Sequence, residues 1–162
     1  MTIVSSENWL QTYSYESNGK IIPYIFRLCD LYGSEFSEMQ GTGFVNHILK
    51  KAINEKNLPV PGLGLSSRNM CHISDACESL IAVLRTPVPP QCLNIPGERY
   101  QIAELISKVA KKFHLEPIID RGENWGDDYS KYSGDLHVSK SFFNHVVNYI
   151  PKYKFKNWLG TL

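Results

Sequence analysis

The sequence predicts an α/β fold, and three observations carry that expectation. Residues 21–29, Ile-Ile-Pro-Tyr-Ile-Phe-Arg-Leu-Cys, form a nearly continuous apolar run of strand length. Residues 102–113 place Ile102, Leu105, Ile106, Val109, Ala110 and Phe113 at helical spacing, the cleanest amphipathic pattern in the chain. Around them, short apolar strand candidates alternate with helical stripes, as in a layered domain of sheet and helices.

Each element follows in turn. Residues 6–15 read as a short helix capped by Ser5 or Ser6, with Trp9, Leu10 and Tyr13 on one face and Asn18-Gly19 at its end. The run at 21–29 is continuous rather than alternating. It therefore predicts a parallel-sheet strand covered on both faces, with Pro23 near its start. Phe44, Val45, Ile48, Leu49, Ala52 and Ile53 predict a helix over 44–54. Leu58-Pro59-Val60-Pro61-Gly62 is too proline-rich for a central strand and reads as a short edge strand. Residues 69–73 read as a strand. A helix capped by Ser74 or Asp75 follows, with the stripe Ala76, Cys77, Leu80, Ile81 and Leu84. Thr86-Pro87-Val88-Pro89-Pro90 stops it. Strands at 91–95 and 117–119 flank the helix at 102–113. Residues 121–135 read as a loop, 139–150 as a helix, and Trp158-Leu159 as part of a short terminal helix. The strands are few and short, so the expected sheet is modest and incomplete alone.

Composition bounds the function. The 162 residues are 43% hydrophobic and 20% charged, a globular composition for one domain over 1–162. A chain of this length buries roughly two thirds of its unfolded surface. A net charge of +1 and a pI of about 7.7 leave no basic footprint for nucleic acid. Lys50-Lys51 and Lys111-Lys112 read as solvated helix faces. No apolar run reaches the ~18 residues of a membrane span. The opening, Met1-Thr2-Ile3-Val4-Ser5-Ser6-Glu7, has no basic n-region and does not read as a signal peptide. Cys29, Cys71, Cys77 and Cys92 form no C-x-x-C, and the expectation is four free, mostly buried thiols in a reducing cytoplasm.

The chemistry-bearing residues are sparse. Gly62-Leu63-Gly64 has a phosphate-binding look, but Ser67 stands where G-x-G-x-x-G needs its third glycine, and a strand rather than a helix follows. A structural turn is the simpler reading. Cys71, His72, Asp75 and Cys77 fit no closed zinc spacing, and neighbours on a strand point to opposite faces. No serine sits in a G-x-S-x-G elbow, so no nucleophilic triad is supported. Arg68 stands out. A guanidinium after a glycine turn and before a buried-looking strand wants an anionic partner, either a ligand or an acid such as Asp75.

Several segments together resemble one family, in its order and spacing over nearly the whole chain. Arg27-Leu28-Cys29-Asp30-Leu31-Tyr32-Gly33 is similar to Arg-x-x-Asn-x-Tyr-Gly. Leu58-Pro59-Val60-Pro61-Gly62-Leu63-Gly64 resembles the proline- and glycine-containing segment that follows. Arg68-Asn69-Met70-Cys71-His72-Ile73-Ser74-Asp75-Ala76 resembles Arg-Asp-x-x-His-Val-x-Asp-Val-Ala. Leu93-Asn94-Ile95-Pro96-Gly97, Ile102-Ala103-Glu104-Leu105, and Gly134-Asp135 with Ser139-Lys140 complete the series. The chain thus resembles the C-terminal, substrate-binding half of an extended short-chain dehydrogenase/reductase, of the NAD-dependent nucleotide-sugar epimerase/dehydratase kind.

The resemblance implies a partial Rossmann-like parallel sheet with a small substrate-binding lobe. It implies a nucleotide-sugar ligand held by Arg68 at its diphosphate, Asp30 at the sugar or cofactor, Val60 along the base, and Lys131 in place of a second arginine. No catalytic or cofactor-binding residue is implied, and NAD(P) would come with another half. The family's catalytic Tyr-x-x-x-Lys would fall before the first helix: counting back from Arg27, its lysine lies near Ile3 or Val4. Asp30 for Asn and Asn69 for Asp are departures from the pattern. The leading expectation is half of a split enzyme, inactive without a separate Rossmann-half chain. The alternative is a non-catalytic pseudoenzyme that binds a nucleotide sugar or forms a homodimer through the strand at 21–29. Tyr32 is a tempting replacement phenol, but its place in the pattern implies a structural role.

Overall fold

The computed structural model describes residues 3–33, 43–87, 89, 91–120, 137–147 and 149–162. The helices are α1 (Ile3–Glu16), α2 (Phe44–Lys50), α3 (Ile73–Leu84), α4 (Ile102–Phe113), α5 (Ser141–Val146) and α6 (Phe155–Thr161). The strands are β1 (Ile25–Leu28), β2 (Asp30–Tyr32), β3 (Pro59–Pro61), β4 (Ser67–His72), β5 (Cys92–Ile95), β6 (Glu98–Gln101) and β7 (Ile118–Asp120). The mixed α/β class is as the sequence predicts.

Among the described residues the sheet is divided into three small pieces. β1 pairs with β5 and β3 with β7, both parallel. In the third, β4 is central, parallel to β2 and antiparallel to β6. Of the run expected as one strand over 21–29, Ile25–Leu28 form β1; the strand ends at Cys29, and the residues that follow, Asp30–Tyr32, join a different sheet. Its expected two-sided cover is also absent from β1. Ile25 is buried, Phe26 half-buried, and Arg27 and Leu28 exposed, because among the described residues β1 has one strand partner and lies at an edge.

α1 departs further. None of its residues is buried, and Trp9 is 66% exposed. It is tied to β1 by a forked ion pair in which Arg27 Nε donates to Glu7 Oε1 at 2.8 Å.

The main core lies between α2, α4, α6 and the β2–β4–β6 sheet. Phe44, Val45, Ile48 and Leu49 of α2 meet Ile102, Leu105, Ile106 and Val109 of α4, with Phe155 and Leu159 of α6 closing the cluster. After Lys50 the helix loosens into a π-helical stretch over Lys51–Glu55, which still buries Ala52. A smaller cluster joins Val83, Leu93, Ile95, Phe143 and Val147.

Four local expectations need correction. The N-cap of α3 is His72, whose Nδ1 accepts the Ser74 N–H at 3.2 Å, rather than Ser74 or Asp75. β6 went unseen because Glu-Arg-Tyr-Gln holds one apolar residue. α5 covers Ser141–Val146 and not 139–150, because Val147 turns extended. Of the four thiols only Cys29 and Cys71 are buried; Cys77 and Cys92 are exposed. The loop expected at 121–135 lies outside the described residues.

Candidate functional site

β4 carries the residues that the sequence singles out, and strand alternation sorts them. Arg68, Met70 and His72 share one face, Asn69 and Cys71 the other. In the parallel register Asp30 of β2 stands opposite Met70, so it lies diagonal to Arg68 on the same face. There the two form an ion pair. Arg68 Nε donates to Asp30 Oδ2, and Nη2 lies 3.4 Å from Oδ1. The guanidinium also stands over the Phe44 ring, 5.4 Å from its centroid. Arg68 is buried, so its charge needs such a partner. Sequence reasoning left the anion open between a ligand and an acid such as Asp75. The structure supplies Asp30, a residue that departs from the family pattern.

The second departure has a local explanation as well. Asn69 is buried, its Nδ2 donates to Gly97 O at 3.0 Å, and its Oδ1 accepts the Val138 N–H at 2.9 Å. A carboxylate could accept from Val138 but could not donate to the Gly97 carbonyl.

Val60 lies on β3, buried in the same apolar cluster as Phe44. Lys131, Gly134 and Asp135 lie outside the described residues. Arg68 and Asp30 are thus brought together, with Val60 in the core beneath α4.

The Gly62-Leu63-Gly64 turn serves packing. Gly64 N–H donates to Pro61 O at 3.2 Å, and Ala103 N–H at the start of α4 donates to Gly64 O at 2.9 Å. A Cβ on Gly64 would stand 2.8 Å from Ala103 Cβ and 2.9 Å from Val60 Cγ1. That space is filled by protein, so these residues do not fit the pyrophosphate of a dinucleotide.

At the far end of β4 a cavity of about 430 Å³ opens between Met70, Cys71, His72, Glu98, Lys140 and the segment 149–154. Its floor is Asp75, 1% exposed. The Asp75 carboxylate accepts the Tyr149 hydroxyl at 2.6 Å and the N–H groups of Lys152 and Tyr153, each at 2.9 Å. Tyr153 stacks on the His72 ring at 4.2 Å between centroids. Burial pushes His72 below the usual imidazole value, against the opposing pull of Asp75. Burial raises Tyr32, which donates to Tyr153 O at 3.3 Å; neither feature poises it as a base. The role of Asp75 as a latch for the C-terminal segment was not legible, since its partners are 74 to 78 residues away.

The candidate metal set of Cys71, His72, Asp75 and Cys77 is otherwise engaged. His72 caps α3, Asp75 holds the C-terminal segment, and Cys77 is exposed. Among the described residues no group of three such side chains could hold an ion. No helix among them is long and apolar enough to cross a membrane.

Fold and site together define a Rossmann-like α/β unit of short parallel strands with a buried arginine at its centre. The chain belongs to the NAD dependent epimerase/dehydratase family, whose model matches residues 5–103. Its fold is that of solved enzymes of this type. A UDP-glucuronic acid 4-epimerase from Bacillus cereus, solved with UDP-glucuronic acid and NAD, superposes with a TM-score of 0.73 at 21% identity, covering 97% of this chain and 48% of its own. A dTDP-glucose 4,6-dehydratase from Bacillus anthracis, in complex with NAD, gives 0.68 at 18%, covering 96% and 47%. A UDP-glucose 4-epimerase from Thermotoga maritima, with UDP-glucose, gives 0.71 at 16%, covering 96% and 48%. The chain spans about half the length of these structures. A search of curated protein sequences found no match.

Proposed function

We propose that this chain is the C-terminal, substrate-binding half of an NAD(P)-dependent nucleotide-sugar epimerase/dehydratase, and that it has no activity until a dinucleotide-binding half joins it. That half could precede these residues in one polypeptide or arrive as a separate chain. The observation that carries the reading is the buried Arg68 on β4, held beside Asp30 at the place where the family pattern puts its diphosphate contact. Val60 and Lys131 are the further proposed ligand contacts. Nothing in the Gly62–Gly64 turn would hold NAD(P), so hydride chemistry is assigned to the other half. The free thiols agree with a reducing cytoplasm.

Calorimetric titration of the purified chain with UDP-, dTDP- and GDP-sugars tests this reading. One of them should bind with saturable heat, and Arg68→Ala should weaken that binding at least tenfold, about 1.4 kcal/mol. Equal binding by the variant, or no binding by the parent, would count against it.

A second reading, self-association, has α1 in its favour. Its apolar residues Trp9, Leu10 and Tyr13 are all exposed, and exposed apolar patches mark association surfaces. Light scattering across a concentration series separates the two: a dimer that binds no nucleotide sugar favours self-association.

A further inference from the structure

The two buried thiols share one small cluster. Cys29 and Cys71 pack with Ala76 of α3, with Leu31 and Val138 against them. Cys29 occupies the break between β1 and β2. Cys71 lies on β4 opposite Leu31, two residues on from Cys29. The register gives residues 31 and 71 the same face, and Cys29 packs with them. Gly97 makes the room: a Cβ there would come 2.7 Å from Cys29 Sγ and 2.2 Å from Met70 O.

The pair is asymmetric. Cys71, 4% exposed, is one of the residues that line the 430 Å³ cavity, as is Lys140. Hydrogen bonding from Cys29 draws the Cys71 thiol below the usual thiol range. Lys140 acts in the same direction, against burial and the charge of Asp75. The same bond, with burial, pushes Cys29 up. An oxidisable cysteine is one with thiolate character, solvent access and a resolving thiol beside it.

We propose that Cys29 and Cys71 are an oxidation site, in which Cys71 reacts with hydrogen peroxide and Cys29 resolves the product as an intramolecular disulfide. The Cys71 thiolate attacks one peroxide oxygen and the O–O bond breaks. The departing hydroxide takes a proton and leaves as water, and Cys71 becomes a sulfenic acid. Cys29 then attacks the Cys71 sulfur, the S–O bond breaks, and the leaving hydroxide takes the Cys29 proton as a second water. Two thiols lose two electrons in all, and one peroxide becomes two waters. The new bond ties the residue preceding Asp30 to the strand that carries Arg68. A dithiol reverses it by exchange.

The test is non-reducing peptide mapping of the folded, fully reduced chain after hydrogen peroxide treatment, with free thiols alkylated before unfolding. The expected main product is the Cys29–Cys71 linked peptide, abolished by dithiothreitol. In Cys29→Ser, dimedone should label Cys71. A Cys77→Ser/Cys92→Ser background removes the exposed thiols and should leave the linked peptide unchanged. The proposal fails if Cys77 and Cys92 oxidise while Cys29 and Cys71 stay reduced. It fails equally if the linkage forms only in denatured chain. The parent map decides the matter even if Cys29→Ser does not fold.

Discussion

Gly33 follows β2 at φ +113, and a Cβ there would stand 2.4 Å from His72 Nε2. Backbone and space both exclude a side chain, so Gly33→Ala is expected to cost at least about 2 kcal/mol in a urea titration. His72 itself needs a free lone pair on Nδ1 for the Ser74 N–H. Burial favours its neutral form, and its folded pKa lies below 6.5. On acidification the unfolded chain takes up the proton first. Stability that is present above about pH 6.5 is therefore lost as the pH falls through the lower folded value. Urea midpoints at about pH 7.5 and about pH 5.5 should fall further in the parent than in His72→Asn, which keeps an acceptor without titrating. Equal falls would remove His72 from the account. Asn69→Asp, which restores the family residue, should lower stability by about 1–3 kcal/mol because Gly97 O loses its donor.

At the scale of elements, the ion pair between β2 and β4 is a clamp whose cost appears only when it is broken. Asp30→Ala removes the carboxylate that pairs with a buried guanidinium and is expected to cost about 3 kcal/mol. Replacing both members, Asp30→Leu with Arg68→Met, should restore the parent's stability to within about 1 kcal/mol or exceed it. A double-mutant cycle by urea unfolding checks the contrast. The C-terminal segment depends in the same way on Asp75, whose carboxylate receives three donors. The periodic helices were legible because a single face decides them: α4 begins and ends where its apolar stripe does. The assignment of residues 25–28 and 30–32 to two different sheets was not legible. An apolar run shows that a strand wants cover, but the partner strands lie 40 or more residues away. At the site, the sequence marked Arg68 and Asp30 separately. Only the parallel register shows that each is the other's partner.

For the whole molecule, the absence of any buried residue on α1 and the exposed edge at β1 have one physical sense. Apolar faces at this density usually meet another folded surface. The solved structures of which this chain covers 47–48% are about twice its length. The composition predicted a globular domain, and nothing in the periodicity of residues 6–15 could show that its apolar face stays exposed. Native mass spectrometry of the purified chain with NAD, and separately with UDP-, dTDP- and GDP-sugars, tests the central claim most directly. A substrate-binding half should retain one nucleotide sugar and no NAD. Retention of NAD, or of no nucleotide sugar at all, would contradict it.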